Sequence, residues 1–136
     1  MDNSDKGGVR MVVTDRAPAP AGHYAQGTIC NGVLYVSGQL PVRPNGVHAP
    51  EAPFEDQVRQ VLGNLLAVVS AAGGSPERIL KVTAYIVGVE NWPRFNAVYA
   101  SVLGDARPAR SVVPVPELHH GYLIEIDAIA AVDDKG

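Results

Sequence analysis

The spacing of apolar residues predicts two helices. Between residues 54 and 72, apolar side chains recur at three- and four-residue steps, which is typical of an amphipathic helix with one apolar stripe. That stripe comprises Val58, Val61, Leu62, Leu65, Val68, Val69 and Ala72. Pro53 suits the first turn, and the Gly73-Gly74 pair suits the end. A second helix is predicted to begin after Asn91 as its N-cap and to end at Gly104.

The remaining apolar segments have the composition of β-strands. They cover residues 9–13, 25–30, 33–38, 79–87, 110–115 and 122–132. Asn31-Gly32 separates the second and third of these segments, and both residues of a type I′ hairpin turn need positive φ, so a hairpin is expected there. The resulting order, β-β-β-α-β-α-β-β, predicts an α+β two-layer sandwich. In it, two helices cover one face of a mixed six-stranded sheet.

The last strand segment separates apolar from charged side chains. Ile124, Ile126, Ala128 and Ala130 share one face by the two-residue period, while Glu125 and Asp127 share the other. An open antiparallel sheet with one solvated face explains this alternation. Alternatively, a partner subunit covers the charged face. Arg110, which opens the preceding apolar run, would then line a half-buried pocket with Glu125.

Composition narrows the class of protein. The chain has 136 residues, 46% of them hydrophobic, which fits a polar arm over residues 1–9 and one domain over residues 10–133. A formal net charge of −3 without a Lys/Arg cluster disfavours nucleic acid as a partner. Cys30 is the single cysteine, so no internal disulfide is possible. No signal peptide or membrane span is recognisable, and a cytoplasmic location is expected.

Candidate cofactor ligands are sparse. The four histidines and one cysteine show no zinc or iron spacing, so neither a metal nor an organic cofactor is expected.

Six motifs in fixed order resemble the RidA/YjgF family of small imine and enamine deaminases. They are Ala21-Gly-His-Tyr-Ala-Gln, Leu34-Tyr-Val-Ser-Gly-Gln, the helix from Gln57 to Leu66, Phe95-Asn-Ala-Val-Tyr, Arg107-Pro-Ala-Arg-Ser and Ile124-Glu-Ile-Asp-Ala-Ile-Ala. The resemblance runs from about Arg16 to Val132. It implies a chorismate-mutase-like fold and a homotrimer with ligand sites between subunits.

The same resemblance implies roles for particular residues. Arg110 matches the arginine that binds the substrate carboxylate, and Glu125 matches the glutamate that orients the attacking water. Tyr24, Ser37, Gly38 and Ser111 are the expected pocket residues. Asn96 matches a supporting residue of the second helix. The implied reaction is hydrolytic deamination of 2-imino or enamino acids, such as 2-iminobutanoate and 2-iminopropanoate, to 2-oxo acids and ammonia.

The chain departs from the family pattern near the expected pocket mouth. His23 replaces a proline, Val112 replaces a small polar residue, and His119-His120-Gly121-Tyr122 replaces a mixed polar segment. The paired histidines are either ligand contacts or solvated loop residues.

Three other functions remain open. One is a regulatory trimer that binds 2-oxo or amino acids without turnover. Another is a 2-aminomuconate-type deaminase, which the paired histidines keep open. The third is an endoribonuclease, which the acidic charge disfavours.

Overall fold

The computed structural model describes residues 8–133, and the elements follow the predicted order. The strands are β1 (Arg10–Val12), β2 (Gly27–Cys30), β3 (Val33–Gln39), β4 (Ile79–Val87), β5 (Ala109–Val115) and β6 (Ile124–Ala131). The helices are α1 (Phe54–Ala71) and α2 (Trp92–Leu103), and short 3₁₀ turns occupy Pro76–Arg78, Val89–Asn91 and His119–Gly121. The predicted arm falls almost entirely outside the described residues.

The six strands form one mixed sheet, as predicted. Their order is β1-β2-β3-β6-β4-β5, with β4 and β5 parallel and every other neighbouring pair antiparallel. The hairpin between β2 and β3 is also confirmed, because Asn31 and Gly32 have φ angles of 52° and 75°. β6 therefore lies near the middle of the sheet, where it links the hairpin half to the β4–β5 half.

Both helices pack on the same face of this sheet. The predicted stripe from Val58 to Val69 is buried in one core with alternate residues of β3, β4 and β6, and Ala72, just past the helix, is partly buried against it. Phe95 and Leu103 of α2 join the same core. The opposite sheet face carries side chains such as Tyr35 and Val113, which are 49% and 37% exposed. Within residues 8–133, no helix is long and apolar enough to cross a membrane.

Asn91 does not act as the predicted N-cap of α2. It ends the 3₁₀ turn that runs directly into the helix, and its φ and ψ of −82° and −7° are helical. Its amide nitrogen donates backwards to the Val87 carbonyl at 3.0 Å, and its oxygen accepts from the Arg94 guanidinium. The preceding turn thus replaces a side-chain cap.

Three buried side-chain amides connect the regular elements to the loops. They belong to Gln26, Gln57 and Asn64, which are 3%, 1% and 0% exposed. Gln26 accepts from the Thr14 N–H at 2.8 Å and donates to the carbonyls of Thr14 and Pro18, both at 2.9 Å. The proline-rich segment before β2 is therefore held by the residue immediately before that strand.

The other two amides project from α1. Asn64 donates to the carbonyls of Leu40 and Val42 at 3.0 and 2.8 Å, which holds the loop after β3. Gln57 donates to the Pro50 and Ala52 carbonyls, both at 3.0 Å, and accepts from the Leu123 N–H at 2.9 Å. One side chain thereby joins the end of that loop to the segment that enters β6.

Replacing Gln57 by leucine should therefore destabilise the protein. Leucine has a similar volume, but it leaves two carbonyls and one N–H without partners in a buried position, at a cost of about 2–4 kcal/mol. Urea unfolding followed by circular dichroism measures this loss. Gln60→Leu, on the same helix, removes a single hydrogen bond to Asn64 and should cost less than half as much. Equal losses would show that Gln57 is not a structural anchor.

Candidate functional site

A cavity of about 660 Å³ lies beside the end of β3 and the start of β6. It is lined by Ala21, Gly22, Tyr24, Ser37, Gly38, Leu40, His119, His120 and Glu125. The structure thus brings together four of the six predicted site residues, namely Tyr24, Ser37, Gly38 and Glu125. A smaller adjoining cavity of about 250 Å³ shares part of this wall and extends to His48.

An irregularity in β3 shapes the cavity wall. Val36 pairs with Ala128 and Gln39 pairs with Ile126, so Ser37 and Gly38 together occupy the place opposite a single residue of β6. A Cβ on Gly38 would collide with the Glu125 carboxylate and would lie 3.3 Å from its Cδ. A side chain at this position would displace the Glu125 carboxylate, which packs directly against the β3 backbone.

Ser37 and Tyr24 are held by the backbone around the cavity. The Ser37 hydroxyl donates to the Ala25 carbonyl at 2.6 Å. The Tyr24 phenol oxygen accepts from the Ala21 N–H at 3.1 Å, which leaves its own proton for a ligand. Ser37 therefore positions the loop, whereas Tyr24 forms a wall that can also donate a hydrogen bond.

Glu125 is a half-buried carboxyl group. Burial raises the pKa of Glu125 above its ordinary value; the nearby His119 lowers this pKa, and the negative charge of Asp127 raises it further. A carboxylate with a raised pKa accepts a proton more readily, which suits a general base. Glu125 can therefore hold a water molecule in the cavity and take its proton.

Asp127 lies on the same sheet face as Glu125, one pleat further along β6. Its Oδ2 accepts a hydrogen bond from the Tyr85 hydroxyl at 3.2 Å. Burial raises the pKa of Asp127, while that hydrogen bond and the charge of Lys81 lower it. The Asp127 carboxylate is therefore hydrogen-bonded to Tyr85, and it affects Glu125 through its negative charge.

Arg110 lies on the opposite face of the sheet from Glu125. It is in register with Val82, which is fully buried under the helices, whereas Glu125 is in register with the outward-facing Tyr85. The Arg110 guanidinium lies 4.9 Å from the ring centroid of Tyr99 and 5.4 Å from that of Phe95. Stacking of this kind holds the planar group in place while its edge stays available for a carboxylate.

Ser111 faces the same side as Glu125 but lies away from it. Ser111 pairs with Thr83 of β4, and Thr83 pairs in turn with Asp127 of β6. Two strand spacings, roughly 10 Å, therefore separate Ser111 from β6. A single copy of the chain does not bring Arg110 or Ser111 to the cavity that contains Glu125.

Two buried polar atoms lie close to the Arg110 side of the sheet. Asn96 Oδ1 and the Tyr99 hydroxyl find no hydrogen-bond partner among residues 8–133. Burial raises the pKa of Tyr99, and the charge of Arg110 lowers it. Arg110 and Tyr99 line a second cavity of about 260 Å³, together with Arg107.

Sequence reasoning missed His48 as a cavity residue. Its Nδ1 lies 3.0 Å from the hydroxyl of Tyr122, and its ring centroid lies 4.3 Å from that of His120. These partners are more than 70 positions away in the sequence, so no local motif indicates the contact. Among the residues that depart from the family pattern, His119 and His120 line the cavity. Val112 instead packs against the core on the helix side, and His23 is absent from the lining.

The potential metal ligands of the described chain do not converge. Between residues 8 and 133, no three His, Cys, Asp or Glu side chains are arranged to hold a metal ion.

Comparison with known proteins supports both the fold and the motifs of this chain. The family model described as endoribonuclease L-PSP matches residues 14–132. A RutC family protein of Pyrococcus horikoshii is 38% identical over 120 residues, which cover 88% of this chain and 95% of that protein.

Two solved structures extend the comparison. The Rid family protein YyfA of Yersinia pestis superimposes with a TM-score of 0.87 at 40% identity, covering 91% of this chain and 99% of that protein. TdcF of E. coli, solved with bound serine, gives a TM-score of 0.86 at 35% identity, covering 91% and 99%. The chain therefore belongs to the endoribonuclease L-PSP family, the group of proteins also known as the RidA/YjgF family.

Proposed function

We propose that the protein hydrolyses 2-imino and enamino acids to 2-oxo acids and ammonia. The observation that carries this proposal is the half-buried Glu125 carboxylate, held against Gly38 in a cavity that Tyr24 closes on one side. Such a carboxylate can position and deprotonate water beside an electrophilic carbon. Family membership supports the same chemistry.

The reaction needs one water and no redox partner. The water oxygen adds to C2 while Glu125 accepts the proton that the water loses, and Glu125 then passes that proton to the imine nitrogen. The resulting carbinolamine then loses ammonia: the C2–N bond breaks, the C2–O bond becomes a carbonyl, and the hydroxyl proton leaves with the nitrogen. An imine plus water thus gives a 2-oxo acid plus ammonia. Arg110 would hold the substrate carboxylate as a bidentate pair, which fixes C2 against the water.

This mechanism requires more than one copy of the chain. Because Arg110 and Glu125 lie on opposite sheet faces, a single copy cannot present both groups to one small substrate. We therefore propose a homotrimer in which each site combines Glu125, Tyr24, Ser37 and Gly38 of one subunit with Arg110 and Ser111 of another. The partly apolar sheet face without helices supports this assembly, since such surfaces are usually buried by oligomerisation.

Glu125→Gln tests the proposed base. Glutamine keeps the size and can still hold water, but it cannot take the proton. Turnover should therefore fall on the order of a hundredfold, while 2-oxo acid binding persists. The assay generates 2-iminobutanoate with a PLP-dependent dehydratase and follows 2-oxo acid release above the spontaneous rate. A wild-type protein that gives no acceleration would contradict the proposed function. A variant that loses ligand binding together with turnover would make Glu125 a structural residue.

The pH profile tests the environment of Glu125. The base must be ionised, so activity is present above its pKa and is lost as pH falls through that value. Burial and Asp127 raise this pKa, so the acid limb of kcat/KM should lie above the ordinary glutamate value. Asp127→Asn removes a like charge and should move the limb to lower pH. Asp105→Asn, an exposed acid outside the cavity lining, should leave the limb in place. Identical limbs in all three proteins would exclude Glu125 as the titrating base.

Arg110→Lys distinguishes a geometric clamp from simple charge attraction. Lysine keeps the positive charge but lacks the planar fork that matches two carboxylate oxygens. A displacement of about 1 Å can cost roughly a hundredfold in rate. We therefore expect Arg110→Lys to lose nearly as much activity as Arg110→Ala, with thermal stability little changed. Arg107→Lys, at the other exposed arginine of the same cavity, should remain close to wild type. A fully active Arg110→Lys variant would refute the clamp.

A binding protein is the second candidate function. The observation in its favour is the serine bound to TdcF, a relative with the same fold. The imine assay separates the two functions: ligand binding without acceleration at any protein concentration would favour a binding role. The larger cavity does not support the endoribonuclease description of the family, because its lining carries the acidic Glu125 and neither lysine nor arginine to bind phosphate.

A further inference from the structure

Three histidines form one wall of the site cavities. His119 and His120 come from the 3₁₀ turn before β6, and His48 comes from the loop after β3. The ring centroids of His48 and His120 are 4.3 Å apart, and those of His119 and His120 are 6.4 Å apart. His119 and His120 line the larger cavity, while His48 and His120 line the smaller one. We call these three residues the histidine wall.

His48 is oriented by a buried tyrosine. The Tyr122 hydroxyl, in a residue that is 1% exposed, accepts the Ala49 N–H at 3.1 Å and lies 3.0 Å from His48 Nδ1. A buried phenol must also donate its proton, and His48 Nδ1 is the acceptor within reach. The neutral His48 ring therefore carries its proton on Nε2. A donor is thus fixed on the side of the ring away from Tyr122.

His120 is held in a conformation that side chains rarely adopt. Its φ and ψ of 63° and 12° fall in the left-handed region, which few residues other than glycine adopt, although histidine does so more often than most. Gly121 follows with φ of 78°, so the chain has a glycine next to the strained position rather than on it. The ring contact with His48 accompanies this strain, and strained residues of this kind cluster at ligand sites.

The histidine wall offers hydrogen-bond donors, rather than a net positive charge, to an acidic group of a ligand. Among the described residues that line the two cavities, Glu125 is the one acid, and neither lysine nor arginine is present. Imidazole N–H groups are therefore the main side-chain donors at this end of the site. An alkyl group placed against them would leave these donors without partners, whereas a carboxylate would accept from them.

The geometry of a 2-imino acid directs its side chain toward this wall. Three substituents radiate in a plane from C2: the carboxylate, the nitrogen and the side chain. In the proposed site the carboxylate lies on Arg110 of another subunit, which leaves the cavity within one chain for the side chain. We propose that the histidine wall is a subsite for a second acidic group, so that the preferred substrates are dicarboxylic 2-imino acids. This inference rests on the proposed function and names its substrate class.

Two imines of equal chain length test the subsite. An amino-acid oxidase with catalase generates them in situ from glutamate and norvaline, which differ by a terminal carboxylate in place of a methyl group. Hydrogen bonds to a charged group are strong enough to favour the glutamate-derived imine at least about tenfold in kcat/KM. The wild-type protein should show that preference after subtraction of spontaneous hydrolysis.

The variant His119→Leu/His120→Gly removes two donors of the wall. Glycine suits the left-handed backbone at position 120, so the fold should be retained. The ratio of kcat/KM for the glutamate-derived imine to kcat/KM for the norvaline-derived imine should fall about tenfold. Loss of His119 also raises the pKa of Glu125, but this change affects both imines alike and cancels in the ratio. His23→Gln is the matched control, because His23 is an exposed histidine absent from both cavity linings, and it should keep the preference.

The outcomes separate this inference from the proposed function. If both imines are accelerated equally, or if the double variant keeps the wild-type preference, the subsite is refuted and the deaminase function stands. If neither imine is accelerated, the deaminase function is refuted. Calorimetric binding of 2-oxoglutarate and 2-oxopentanoate then decides the subsite. A roughly tenfold preference for 2-oxoglutarate that disappears in the double variant would support it, and equal affinities would overturn it.

Discussion

The candidate site depends on a small set of buried hydrogen bonds between side-chain amides and loop backbone. Gln26, Gln57 and Asn64 are almost completely buried, and their oxygen and nitrogen atoms are paired with backbone groups of three loops. A buried amide without partners would cost more than it contributes, so the loop conformations and the amides determine each other. These loops carry or adjoin Tyr24, Leu40 and His48, so the cavity wall is as rigid as the helix and strand that hold the amides.

The sheet determines which of its two faces carries Glu125 and which carries Arg110. The bulge at Ser37 and Gly38 brings the β3 backbone against Glu125, and burial then raises the pKa of that carboxyl group. Arg110 meanwhile stacks over aromatic rings of α2 on the other face. The Glu125 carboxylate, the proposed base, and the Arg110 guanidinium, the proposed anion clamp, are separated by the thickness of the sheet. Assembly of several copies is the arrangement that would join them, and it would couple activity to oligomerisation.

The sequence predicts features that arise from local periodicity. The apolar stripe of α1, the Asn31-Gly32 hairpin and the alternation in β6 each lie within one segment, so they were predicted correctly. The face that Arg110 occupies could not be predicted in this way. β5 alternates weakly between apolar and polar residues, and only its parallel register with β4 assigns Arg110 to the helix side.

Long-range partnerships were equally inaccessible. Gln57 looks like an ordinary polar residue of an amphipathic helix until Pro50 and Leu123 are brought beside it. His48 belongs to the site because Tyr122, 74 positions away, fixes its ring. Asn91 was predicted as a cap because the preceding residues gave no sign of a 3₁₀ turn. In each case the tertiary fold supplies a partner that residue type and spacing do not reveal.

Subunit complementation tests the central claim, that each site combines Arg110 and Glu125 from different copies. Arg110→Ala and Glu125→Gln chains are co-expressed with two different tags, and oligomers that contain both are isolated. In a cyclic mixed trimer, one of the three interfaces pairs an intact Arg110 with an intact Glu125, so about one third of wild-type activity should return. Activity of the mixed oligomers no higher than that of either parent variant would contradict a site shared between subunits.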